Sequence, residues 1–379
     1  MSITFAPSAR STLGIEWELA LVDRESGELS NTATRVLAAL NQAGDAPYPL
    51  ITSELFQNTI ELVSGVHSTV AGAVGDLESQ LQQVRPVLDS MNLDLIGAGC
   101  HPFSRWPEQS VTESARYDRF MEKTQWWGRN MLIWGVHVHV GIEDRSKVLP
   151  ILHGLLTYYP HLQALSAASP FWEGQDTGYA SNRSMLFQQL PTAGLPYDVK
   201  EWGDFERYID DVTRVGIISE INEARWDIRP APKWGTLEMR ACDGLSTMLE
   251  VGAVAALTQC LVERLSTELD SGREPMRLQP WFIRENKWRA ARYGIDATVI
   301  VSREGAERPV SDDLRRLVTE LEPIANRLGC RDELASILSI LDAGVSSQRQ
   351  LRVAEQSGGD LRAVVRSLSS ELTNGLQST

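Results

Sequence analysis

GVHVHVG, residues 135–141, sets two histidines two apart between valines. In an extended strand successive side chains alternate faces, so His137 and His139 share one face and the valines share the other. Only six histidines occur in the 379 residues, and two of them stand on one side of one strand. The pattern recurs. In GIEWEL (residues 14–19), Glu16 and Glu18 alternate with Ile15, Trp17 and Leu19; in TLEMR (residues 236–240), Glu238 and Arg240 alternate with Leu237 and Met239. One such pair reads as a solvated strand face. Three, in segments that otherwise look buried, point to a common site, because buried charge is costly unless it is paired or metal-bound. The spacing predicts an α+β fold. A mainly antiparallel sheet keeps one face open to a ligand and packs helices on the other, rather than a doubly wound parallel sheet.

Working outward, strands are predicted over 12–22 and 93–102, and one or two over 54–64. Helices are predicted over 33–43, 70–92, 116–128, 145–168 and 246–269. Residues 170–200, rich in Gly, Ser, Asn, Gln and Pro, read as a long functional loop. From about 280 to 379 helices dominate, and residues 1–379 read as one catalytic domain. GAGC at 97–100 is not followed by GK[ST], so it is no phosphate loop.

Glu54 and Glu61 in SELFQNTIELVSG are seven apart and cannot share a face of one uninterrupted strand. A bend between them is expected, with Glu61 the safer member of the site. Several carboxylates with one or two imidazoles form a hard, oxygen-dominated set that suits Mg²⁺ or Mn²⁺ better than Zn²⁺. A zinc hydrolase with an H-x-H strand would need another histidine downstream. Only His153 and His161 follow, and both read as ordinary helix-surface or core histidines.

A net charge of −14 argues against nucleic acid as a partner. It allows a polyphosphate if divalent cations lie between ligand and site. Four scattered cysteines without a C-x-x-C, no membrane-spanning apolar run and an N-terminus unlike a signal peptide predict a reducing cytoplasm. Small-molecule substrates are expected, and a homo-oligomer is allowed.

Arg240 beside Glu238 is placed to meet a phosphoryl group. Arg183 in GYASNRS, with Asn182, is the next candidate for a substrate anion; Arg105 in HPFSRW and Arg229 in WDIRP read equally well as surface arginines. No nucleophile elbow occurs. The chemistry implied is positioning and electrostatic stabilisation, as in phosphoryl transfer.

GIEWEL, ELVSG, GAGCHPFSRW, RYDRF, GVHVHVG, NRS and TLEMR, in this order and through the QRQLRVAEQSGGDLRAVVRSL tail, resemble the carboxylate–amine ligases of the glutamate–cysteine ligase type 2 family. The resemblance implies a glutamine synthetase-like fold, related to that of guanidino kinases. Its antiparallel sheet forms a funnel for ATP and two or three divalent metals. It also implies that Glu16, Glu18, Glu54, Glu61, His137 and Glu238 are metal ligands, with Glu238 and Arg240 catalytic. Arg240 would meet the ATP phosphates, and His139 would line the ATP funnel rather than ligate. Arg183, Asn182, Arg105 and Arg229 would bind substrate. The reaction implied joins a carboxylate, the γ-carboxylate of glutamate, to an amine, cysteine, through an acyl phosphate. A guanidino-kinase-like phosphotransferase, a metal-dependent amidohydrolase and a non-catalytic nucleotide-binding regulator are the alternatives.

Overall fold

The structure is a computed structural model that describes residues 2–43 and 50–376. The alternating stretches pair, all antiparallel, into one seven-stranded sheet: β1 (Leu13–Asp23), β2 (Ile51–Ser53), β3 (Thr59–Val63), β4 (Leu93–Ile96), β5 (Gly135–Gly141), β6 (Ile228–Ala231) and β7 (Thr236–Asp243). Its order is β2-β3-β1-β5-β7-β6. The long strand β1 organises it. On one edge it holds β3; on the other β5 covers Leu13–Trp17 and β4 covers Ala20–Asp23.

Alternation then sorts the side chains. Ile15, Trp17, Leu19, Ile60, Leu62, Val136, Val138, Leu237 and Met239 are all sealed from solvent. Helices Val70–Ser90, Arg145–Leu165 and Met248–Asp270 cover that face. The last two are buried on nearly every side, so their sequences are apolar all round rather than striped. His153 and His161 lie on Arg145–Leu165 and belong to this core. His153 meets the Val199 carbonyl at 2.8 Å and His161 meets Asp313 at 2.8 Å.

Three predicted elements differ in detail. The helix expected over 116–128 is broken at Gln125, whose φ of 48° lies outside helical space, into Ala115–Thr124 and Trp126–Arg129. The 170–200 stretch contains a small strand pair, Phe171–Trp172 with Gln175–Asp176, and a short helix, Asn182–Phe187. A further hairpin, Thr298–Ile300 with Glu307–Pro309, interrupts the C-terminal helices.

Those helices are tied to the sheet by a buried ion network. Thr247 caps Met248–Asp270 by accepting the Glu250 N–H, and the buried Glu250 carboxylate accepts the Thr247 hydroxyl at 2.9 Å. Arg349, on helix Ser346–Gln356, donates to Glu250 at 2.8 Å and to Glu371, on helix Leu361–Asn374, at 2.9 Å. It also reaches the Gly344 carbonyl and Ser246, three residues past the end of β7. One guanidinium thus joins four segments. Arg349→Ala will leave two carboxylates without their cation and lower stability by about 3–5 kcal/mol. Urea unfolding reads this as a lower midpoint with unchanged slope; an unchanged midpoint would assign the docking to apolar packing alone.

Candidate active site

On its open face the sheet register sets the polar groups opposite one another. Glu16 pairs across strands with His137, Glu18 with Glu61, His139 with Glu238, and Arg229 with Glu238. A bulge adjusts the β5–β7 pairing. Val138 faces Met239 but Val136 faces Cys242, so β7 carries one extra residue opposite His137. Glu54 is not on β3 at all. It follows β2, and the turn at 55–58 lets it reach the same cavity as Glu61 despite the mismatched spacing. Glu16, Glu18, Glu54, Glu61, His137, Arg229 and Arg240 line one cavity of ≈ 400 Å³. Glu238 and His139, both expected at the site, do not reach its surface: Glu238 is fully buried behind Arg229 and Arg240, and His139 lies behind Glu16.

Single ligand atoms of Glu16, His137 and Glu238 lie within 4.8 Å of one another, as do those of Glu18, Glu61 and His137. His137 is common to both sets. Its Nδ1 is 3.0 Å from Glu16, and its buried Nε2 has no partner. Burial, then the Arg240 charge, lowers its pKa to about 4, so the ring is neutral and offers a lone pair. His139 is the opposite case. Nδ1 meets Thr236 at 2.9 Å, and Nε2 lies 3.3 Å from Glu16 and 3.8 Å from Glu238. Burial disfavours its charge, but Glu238 and Glu16 overcome that and raise its pKa. The two histidines share a face, yet their pKa values are shifted in opposite directions.

The carboxylates divide similarly. Burial works against ionised Glu238, but Arg240 and Arg229 hold its pKa well below the usual range. Arg229 donates to it at 2.8 and 2.6 Å, and Arg240 pairs with the other oxygen. Glu16 is likewise held low by its two histidines against its burial. Glu18, Glu54 and Glu61 lack such partners. Burial raises all three, and the Glu54 charge adds to it at Glu18, which is pushed up to about 7, and at Glu61. Crowded carboxylates with raised pKa values, beside an imidazole nitrogen left open, fit a hard divalent cation.

Cations line the cavity as well. Arg116, Arg119, Lys123, Arg183 and Arg225 line the same cavity, and none makes an ion pair among the described residues. Arg183 lies across the start of β5, where Gly135 makes room: a Cβ there would sit 2.2 Å from its guanidinium. Arg116, Phe120 and Lys123 recur at helical spacing on Ala115–Thr124 and face inward together. RYDRF marks this helix in the sequence, but its polar composition does not say which way it faces. Arg225 carried no signal of its own.

Two expected substrate residues do not reach the cavity. Arg105 is exposed at the start of the short turn Trp106–Glu108, because the chain after β4 carries it outward. Asn182 opens helix Asn182–Phe187 and turns toward the buried Cys100 thiol, since adjacent helical residues point about 100° apart. Arg183 points inward and Asn182 does not. Arg229 lines the cavity, but its guanidinium is committed to Glu238.

A model of the family described as glutamate-cysteine ligase family 2 matches residues 12–367. A protein of Leifsonia xyli subsp. xyli (strain CTCB07), described as "Putative glutamate--cysteine ligase 2", is 58% identical over 374 residues, 99% of each chain. One of the same description from Mycobacterium tuberculosis (strain ATCC 25177 / H37Ra) is 52% identical over 370 residues, 98% of this chain and 97% of its own. The fold is that of a glutamate–cysteine ligase from Francisella tularensis solved in complex with AMP. There the TM-score is 0.67 at 17% identity, covering 98% of this chain and 90% of that one. A bifunctional glutathione synthetase from Pasteurella multocida also gives 0.67 at 15% identity, over 95% of this chain and 52% of that one. By class the protein is an ATP-dependent carboxylate–amine ligase. It belongs to the glutamate–cysteine ligase family 2.

The charge pattern makes stability depend on pH. In the unfolded chain a glutamate titrates near about 4.3, whereas folded Glu18 holds its proton to about 7. An acid raised by folding makes stability fall as pH rises between those values. Cation-free protein will therefore melt at a lower temperature at pH 7.5 than at pH 5.5. Added Mg²⁺ will reverse the loss, and Glu18→Gln will make the profile shallower, leaving the part due to Glu54 and Glu61. Calorimetric melting across this range checks it; a rising profile without cation contradicts it.

Proposed function

We propose that this chain uses ATP to activate the γ-carboxylate of glutamate and joins it to the amine of cysteine, with Mg²⁺ or Mn²⁺ bound at the carboxylate floor. The observation that carries this is one cavity lined both by carboxylates whose pKa values burial raises and by cations that make no ion pair among the described residues. A polyanion held between them, with divalent cations on the acidic side, satisfies both. The relatives' descriptions supply the choice of glutamate and cysteine.

Glu16, Glu18, Glu54, Glu61, His137 and Glu238 would hold the cations, whose chemistry is to neutralise the β- and γ-phosphates of ATP. The remaining work falls to the chain's own groups. Arg240, kept charged by Glu238 and Glu16 against its burial, faces the transferring phosphoryl group. Arg183, its Nε unpartnered and buried, binds substrate anion beside it. The substrate carboxylate attacks the γ-phosphorus, ADP leaves, and an acyl phosphate forms. The amine nitrogen then attacks the acyl carbon, phosphate departs and the amine's proton goes to solvent. His139, tied to Thr236 and Glu16, would support the site from behind Glu16 without ligating.

The whole chain acts as one catalytic domain in this reading, since Arg349 anchors the C-terminal helices directly behind β7. No described helix is long and apolar enough to cross a membrane. Four buried free thiols suit a reducing, cytoplasmic setting.

Purified protein given ATP with glutamate and a panel of amines will release ADP, phosphate and an amide in equal amounts. ADP with a phosphorylated product and no free phosphate would indicate a phosphotransferase; amide hydrolysis without ATP would indicate a hydrolase. A second measurement separates the histidines. His137→Ala will raise the Mg²⁺ concentration needed for half-maximal ligation, about tenfold or more. His139→Ala will change turnover or substrate affinity with little change in Mg²⁺ demand. Equal shifts in the two titrations would make both histidines ligands.

A further inference from the structure

Arg225 lines the cavity from the short segment between the turn Ile221–Glu223 and β6. Buried Ala224 and Trp226 on either side pin the segment, so the side chain between them must face the cavity. Its guanidinium packs over Phe120 at 5.1 Å and donates only to the Glu223 carbonyl, at 3.2 Å. The nearest carboxylate in sequence attracts it without an ion pair: Glu223 accepts the Ser219 N–H instead. Arg116, one helical turn before Phe120, adds a second unpaired cation to the same corner. Such a corner, with an aromatic plate and two forked or free cationic groups, recognises a planar carboxylate.

A backbone outlier supports this placement. Thr192 has φ = +66°, a conformation that a β-branched residue adopts only at a cost. What it gains is a clamp on the Arg225 segment. Its Oγ1 donates to the Glu223 carbonyl at 2.6 Å and accepts the Arg225 N–H at 3.1 Å. Strained residues persist where the surroundings hold them, and here they hold the segment that carries the unpaired guanidinium.

We propose that Arg225, with Arg116 beside it, binds the α-carboxylate of an amino-acid substrate at the mouth of the cavity, and that Thr192 is the positioning residue that aims it. This rests on the ligase reading only for which substrates are offered. The α-carboxylate could belong to the activated amino acid or to the incoming amine, so the test treats them separately.

Full-length wild type, Arg225→Gln, Arg225→Lys, Thr192→Ser and Thr192→Gly are compared on two pairs of compounds. Glutamate is set against 4-aminobutyrate, and cysteine against cysteamine; each second compound lacks only the α-carboxylate. Kinetics with ATP and Mg²⁺ are measured beside calorimetric binding of each compound, which needs no turnover. For one pair, Arg225→Gln will raise KM for the amino acid about 10- to 100-fold, the worth of a charge-assisted hydrogen bond, with kcat little changed. Its preference over the decarboxylated analogue will collapse. Arg225→Lys will restore part of it. Thr192→Ser, which keeps the hydroxyl, will resemble wild type, and Thr192→Gly will reproduce the loss in weaker form. The affected pair identifies the substrate. Unchanged discrimination in both pairs, or a shift confined to the KM for ATP, overturns the proposal. Arg225-dependent binding by a protein that forms no amide would instead overturn the ligase reading and leave this subsite standing.

Discussion

Cross-strand register is the constraint on which this site depends. Glu16 opposite His137, Glu18 opposite Glu61 and His139 opposite Glu238 all lie on one face because four strands keep their alternation in step. A slip of one residue on β1 would send two glutamates into the core and Trp17 into the cavity. The apolar face forbids that slip. Trp17 is sealed beneath the sheet, with its indole N–H on the Leu245 carbonyl, and Val136, Val138 and Met239 pack beside it. Burial on one side thus fixes charge on the other, and the same helices that stabilise the fold hold the polar groups in place.

The floor is left electrostatically incomplete. Glu238 is fully satisfied by two arginines, and Glu16 by two histidines, so both ionise readily. Glu18, Glu54 and Glu61 have no such cations and repel one another. Five cations line the same cavity without ion pairs among the described residues; Arg183 and Arg116 temper Glu18 and Glu54 but do not outweigh burial. Chemistry by positioning and charge, without a protein nucleophile, is what such a cavity supports.

Docking of the C-terminal helices belongs to the same design. Arg349 meets Glu250 and Ser246 just beyond β7, the strand that bears Glu238 and Arg240. These helices are therefore anchored to the segment that follows β7 through a buried, hydrogen-bonded charge.

Alternation of period two was legible in the chain itself. It placed His137 with His139, Glu16 with Glu18 and Glu238 with Arg240, and it separated each pair from its apolar neighbours, because side-chain direction in a strand is a local property. The family resemblance rested on the same short stretches. What local pattern does not hold is how segments far apart in sequence meet. The hairpin turn that brings Glu54 beside Glu61, the bulge opposite His137, and the inward face of Ala115–Thr124 with Arg116 and Lys123 are products of chain packing. So is the difference between His137 and His139, which have the same strand and face but different partners. Arg105 and Asn182 sit beside recognisable motifs, yet the chain's path turns them away; Arg225 sits beside none and is turned in. Side-chain type and spacing determined which chemistry this protein carries, and only tertiary contact decided which of those groups share a cavity, since distance across a fold is set by packing and not by separation along the chain.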